Sequence, residues 1–183
     1  MQNMETAQCA EEMAQAEKLL GGRLTPAEKS LVGVLMQTKA LRSSAKDLFN
    51  IYRCQPYRFP DLMKKQIKSV ELLEGKWDQK GSKRRWTFVD DQCGTWDDIV
   101  EDINDQAMSI MWTLQKGIVP QQRYSILKVV HQFFAHEDGC LAIVTLAYKK
   151  KHARIPAPND YMEFLIKMLE AADRPPRAGT NEE

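Results

Sequence analysis

Histidine and cysteine are sparse in this chain, three and four residues of 183, and neither falls into a spacing that builds a reactive centre. His131, His136 and His152 have no serine or cysteine motif beside them that would mark an activated nucleophile. The steps between His131, His136 and Cys140 match no zinc pattern, and on a helix the two histidines would diverge around the axis. Cys9, Cys54, Cys93 and Cys140 form no CxxC pair, a usage that fits reduced thiols in a cytoplasmic protein better than a disulfide framework. The nine glycines never gather into a phosphate-cradling loop. No apolar run approaches membrane-spanning length, no signal-peptide pattern opens the chain, and no internal repeat is present. The expectation from these absences is a non-enzymatic cytoplasmic protein, with no catalytic residues, no metal, no cofactor and no membrane partner.

Hydrophobic residues make up 43% and charged residues 28%, the balance of a globular domain with a sizeable core. Net charge is only +1, so affinity for a polyanion would have to come from uneven placement. The placement is uneven. Lys76, Lys80, Lys83, Arg84 and Arg85 crowd one short stretch, and from Asp90 to Asp105 there are seven acids and no lysine or arginine.

Residues 24–89 read as three short helices and a basic β-hairpin. Thr25-Pro26-Ala27-Glu28 offers a capping box with proline at the first helical position, followed by the apolar stripe Leu31, Val32, Val34 and Leu35. Ser44 and Asp47 offer a second cap before Leu48, Phe49, Ile51 and Tyr52. Pro56 breaks that pattern and Pro60 can start a third helix, in which Phe59, Leu62, Met63, Ile67 and Val70 share a face. Two strand-like runs, 72–78 and 83–89, then flank a turn containing Gly81. A third helix followed by a basic hairpin resembles the recognition helix and wing of the winged helix-turn-helix superfamily. The resemblance implies duplex DNA binding, with Lys64, Lys65, Lys68, Lys76, Lys80, Lys83, Arg84 and Arg85 on phosphates and Arg58, Lys65 and Gln66 reaching base edges.

Beyond the hairpin the spacing predicts helices throughout. Thr95-Trp96-Asp97-Asp98 looks like a cap, and Ile99, Ile103, Ala107, Ile110, Met111 and Leu114 follow at helical steps. Further helices are expected from about Gln121, over Leu141 to Tyr148, and from Asn159 with Tyr161, Phe164, Leu165, Met168 and Leu169. Met1 to Gly21 reads as a leading helix. The predicted architecture is therefore mainly α: a leading helix (1–23), a winged helix-like domain (24–91), a C-terminal helical bundle (95–172) and a disordered tail (173–183). Its expected function is nucleic-acid binding in a regulatory, replication or mobile-element assembly, with homodimer or protein contacts through the C-terminal helices. The alternative is a helical adaptor or small subunit that docks a protein partner through Asp97, Asp98, Glu101, Tyr161, Phe164, Leu165 and Met168.

Overall fold

A computed structural model describes residues 2–117 and 122–173. The chain opens with helix α1 (Gln2–Leu20), which Gly21 ends at a φ of 88°. A single turn of helix, α2 (Pro26–Lys29), follows with the capping box formed: Thr25 accepts from the Glu28 N–H and Glu28 accepts from the Thr25 N–H. Strand β1 (Val32–Leu41) leads to α3 (Ala45–Cys54), whose cap Ser44 accepts from the Asp47 N–H. A 3-10 turn (Pro56–Arg58) and the short α4 (Phe59–Leu62) precede β2 (Ile67–Glu74). Then come β3 (Lys83–Phe88), β4 (Thr95–Asn104), β5 (Ser109–Gly117), β6 (Tyr124–His136) and β7 (Gly139–Lys150), and helix α5 (Asn159–Ala172) closes the described chain.

The seven strands form one antiparallel sheet in the order β1-β7-β6-β5-β4-β3-β2. From β2 to β7 it is a meander, and β1 joins beside β7. Inward positions on neighbouring strands line up in rows, such as Arg84 with Asp98 and Ile110 with His131. Over this face lie α3, α4 and α5, and the core between them holds Tyr52, Phe59, Trp86, Trp112, Phe133, Leu165 and Leu169. Helix α1 packs against β1, β7 and β6, where Ala16 and Ala147 are fully buried outside that core. One close approach depends on glycine. The Tyr148 hydroxyl lies where a side chain at Gly33 would begin, so the ring crosses β1 only because that position is bare.

The mainly α reading is overturned, and with it the winged helix and the C-terminal helical bundle. The basic hairpin does form, Val70 pairing with Trp86, but it is one edge of a seven-stranded sheet. The helix expected to carry Lys64, Lys65, Gln66 and Lys68 stops at Leu62, and Lys68 lies in β2. The physical reason for the misreading is clearest in β4. Register shifts between Asp97 and Asp98 and between Val100 and Asp102 throw the alternation out of step. Trp96, Ile99, Val100 and Ile103 then fall at steps of three and four, the period of a helix. In β7 the cause is burial of both faces, which makes Val144 to Tyr148 a continuously buried run, Thr145 included, without a period. The expected tail lies outside the described residues except Asp173, whose carboxylate accepts from the Arg42 and Ser43 N–H groups.

Candidate functional site: an aromatic groove at the start of α5

Where α5 begins, it stands off from the sheet and leaves a groove of about 350 Å³. One wall is the helix, through Asp160, Tyr161 and Phe164. The opposite wall is the end of β3 and the start of β4, through Phe88 and Trp96, with Asp90 and Cys93 from the loop between them. Lys65 and Gln66, in the segment before β2, complete the rim. The sequence builds this opening in three steps. Aromatics at inward positions of β3 and β4 cannot be covered by a helix that starts late, behind the connector Ile155-Pro156-Ala157-Pro158. The connector is fixed by Tyr124, whose hydroxyl donates to the Pro156 carbonyl at 2.9 Å. The β3–β4 loop is held against the rim by the Val89 N–H, which donates to the Gln66 carbonyl at 2.9 Å.

The walls are rigid because the rings pack on one another. Trp96 stacks on Tyr161 at 5.3 Å, Phe88 lies 4.4 Å from Trp96, and Phe164 meets both edge-on at 5.7 Å. Behind them lie two small voids of about 10 Å³ each, one beside Asp98 and one between Trp96, Tyr161 and Leu165.

Polar groups at the groove divide into committed and uncommitted. Asp160 accepts from Arg123 at 2.7 Å and from the Tyr161 N–H at 3.1 Å. Asp90 folds its own loop, accepting from the Gln92 N–H at 2.9 Å, and the Cys93 thiol points toward its other oxygen at 3.9 Å. Burial pushes the Cys93 thiol up, and the Asp90 charge pushes it further. Burial likewise raises the Tyr161 phenol, with Asp160 adding to it. Both groups stay protonated at neutral pH. By contrast, Trp96 Nε1 and the Tyr161 hydroxyl are buried without a hydrogen-bond partner among the described residues. Lys65 is exposed and has no ion pair among them either.

Deeper on the inward face sits a buried polar layer. Arg84 and Asp98 are 2% and 1% exposed and share a two-point fork at 2.7 and 2.9 Å, and Trp86 Nε1 donates to Asp98 at 2.8 Å. His131 is fully buried, 4.4 Å from the Tyr52 ring, and neither its ring nitrogens nor the Tyr52 hydroxyl has a hydrogen-bond partner among the described residues. Burial, with a smaller effect of Arg84, drives the imidazole down to about 3, so it is neutral.

The residues singled out from the sequence scatter over this fold. The structure brings Lys65, Gln66, Tyr161 and Phe164 together at the groove, whereas Leu165 and Met168 are buried core. Lys64, Lys68 and Lys76 are exposed on separate segments, and Arg58 donates to Gln55 Oε1 at 3.0 Å. The basic cluster is not a free cationic wing. Lys83 pairs with Glu74, Lys80 with Asp102, Arg85 with Asp97, and Arg84 is buried. The acidic stretch is the strand beside it, with Glu101 held by Lys128 and Thr113 at 2.6 Å each. Phe88, Asp90, Cys93, Trp96 and Asp160 were not read as site residues. Their only sequence signal is an unusual density of aromatics at the ends of β3, β4 and α5, and that signal needs the sheet order to be interpreted.

Comparison with known proteins agrees with this fold. The model of the pathogenesis-related protein Bet v 1 family matches residues 30–175, so α1 precedes the matched region. MLP-like protein 328 of Arabidopsis thaliana is 26% identical over 140 residues, covering 76% of this chain and 91% of that protein. Major latex-like protein 151 from Panax ginseng superposes with a TM-score of 0.73 at 17% identity, over 78% of this chain and 96% of that one. Norcoclaurine synthase from Thalictrum flavum, solved with dopamine and hydroxybenzaldehyde, gives 0.68 at 16% identity, over 83% and 91%. These matches, with the ion pairs above, overturn both the DNA-binding function and the adaptor reading, along with their nucleic-acid and homodimer partners. No helix of the described residues is long and apolar enough to cross a membrane.

Proposed function

Since the chain belongs to the Bet v 1 family, we propose that it binds a small, largely apolar molecule in the groove between α5 and the β3–β4 loop. The observation that carries this reading is the groove itself. Four aromatic side chains line a space of about 350 Å³, within the range of small-molecule sites. Phe88 and Tyr161 are already buried, and the apolar area that Trp96 and Phe164 still expose leaves water when a ligand occupies the groove, at roughly 25 cal/mol per Å² buried. That a protein of the same fold holds two small aromatic molecules, dopamine and hydroxybenzaldehyde, supports the same class of occupant.

The groove is a binding site without turnover in this reading. Acid–base work at neutral pH needs a group that titrates there. Cys93 and Tyr161 are both pushed above their ordinary values, and Asp160 is tied to Arg123. A reducing, cytoplasmic setting is supported by Cys54, Cys93 and Cys140, which are all free thiols. Cys93 also supplies the test. A naphthalene derivative at saturating concentration should slow its alkylation about ten-fold and leave Cys54, outside the groove, unaffected. Equal rates at Cys93 with and without such ligands would falsify the reading.

A further inference from the structure

The two edges of the sheet are built differently, and the geometry points to one of them, the free edge of β1, as a surface that pairs with β1 of a second copy of this chain. The inference is independent of the groove. At the opposite edge β2 is a poor template. Its ladder with β3 slips between Ile67 and Ser69 and again between Leu72 and Glu74, it carries Lys68, Glu71 and Glu74, and α4 and the 3-10 turn pack against it. Bulges, charges and a covering element are the devices that keep an edge from pairing. β1 lacks them over its middle. It runs in unbroken register with β7 from Val32 to Leu41, without proline, and its one charge, Lys39, is spent on Glu170.

The register fixes where each backbone group points. Lys150 N–H donates to the Leu31 carbonyl at 2.8 Å, one step beyond the Val32–Lys149 pair. Odd-numbered residues of β1 therefore bond β7, and even-numbered ones turn their N–H and C=O groups to the free edge. The Arg42 N–H follows this rule, taken from that side by the Asp173 carboxylate at 2.9 Å. At the other end α1 packs over Ala147, the partner of Val34 in the ladder. Between these two stops Met36, Gln37, Thr38 and Ala40 are exposed. Met36 is 60% exposed, more than any other large hydrophobic side chain among the described residues. The outward N–H and C=O groups of Met36, Thr38 and Ala40 have no partner among those residues.

A second copy fits because an antiparallel edge is its own complement. With a two-fold axis at Thr38, Thr38 faces its counterpart and Met36 faces Ala40, each pair exchanging the backbone bonds that both edges offer. Gln37 then lies opposite Lys39, so no like charges meet. Asp173 and α1 limit the pairing to this short stretch, and so small a contact makes a weak dimer.

The test is sedimentation velocity of the full chain from about 10 to about 1000 µM, the range in which a contact of this size becomes visible. The parent should pass from monomer to dimer across it. Met36→Lys puts a charge on the exposed edge of each copy and should weaken association about ten-fold. Thr38→Pro removes a donor that β7 does not use, so the far-ultraviolet circular dichroism should stay as it is while the dimer is lost. Leu73→Lys, at an exposed position of β2, should leave the dimer unchanged. A parent that stays monomeric at the highest concentration overturns the proposal. So does a dimer that Met36→Lys leaves intact or that Leu73→Lys disrupts. Met36→Lys, at the most exposed position of the edge, decides the matter should Thr38→Pro not fold.

Discussion

Arg84 and Arg85 are neighbours in sequence, and each forks onto an aspartate of the next strand, yet the two pairs live in different media. Arg84–Asp98 faces inward at 2% and 1% exposure, and Arg85–Asp97 faces outward at 41% and 10%. Strand alternation alone separates them. On the outer face the pair is a cross-strand contact in water, one of a series with Lys83–Glu74 and Glu101–Lys128 that neutralises β3 and β4. On the inner face the same fork has to offset the removal of two charges from water, and the third bond from Trp86 helps it do so. Identical chemistry thus keeps the outer face soluble and fixes the register of the inner one.

The largest effect should come from breaking the inner pair. Arg84→Met leaves Asp98 buried and charged against Trp86 and Trp112, and we expect a loss of about 3–5 kcal/mol in urea unfolding. The double replacement Arg84→Met with Asp98→Leu should recover most of it, because no charge is then left in the core. If the single variant is as stable as the parent, the inner fork is not a constraint on the sheet and the contrast between the faces disappears.

His131 sharpens the comparison through pH. Its folded value of about 3 lies below its ordinary 6.5, so the unfolded chain binds the proton first as pH falls. Stability is therefore full above pH 6.5 and declines toward pH 3, with a slope of up to about 1.4 kcal/mol per pH unit from this residue. His131→Leu should flatten that slope. An unchanged stability profile between pH 6.5 and pH 4 would place the imidazole in contact with water, contrary to its burial.

The same two faces explain how much of the molecule was legible. Helix caps at Thr25 and Ser44, the amphipathic α5 and the hairpin around Gly81 were readable because each is local. What was not local was lost. An arginine and an aspartate at the inward positions 84 and 98 look like surface residues, since alternation marks a core face by its apolar residues and these two are charged. Read as solvent-facing, they made β3 a cationic wing and β4 an acidic helix, when each is the counter-charge of the other. The groove suffered the same way. Lys65, Gln66, Tyr161 and Phe164 were noticed for the wrong reasons, two as DNA contacts and two as a docking face, because only the strand order sets Phe88 and Trp96 between them.

The smallest effect is expected from the outer pair, and its direction with pH runs through a different window. The hydrogen bond from Arg85 is the main cause holding Asp97 below its ordinary carboxylate range, and burial opposes it. A depressed folded value contributes stability above the unfolded value of 3.8, and that contribution is lost as pH falls through the folded value. Arg85→Gln should accordingly lower Tm by no more than about 2 °C at pH 7, since one partner is well exposed and screened by solvent. The difference from the parent should shrink below pH 4 and in high salt, whereas the inner pair, out of reach of mobile ions, should keep its effect as salt is raised. A thermal scan in which Arg85→Gln costs as much as Arg84→Met would mean that burial does not distinguish the two forks, and that the sheet's outer face near Asp97 is covered rather than open.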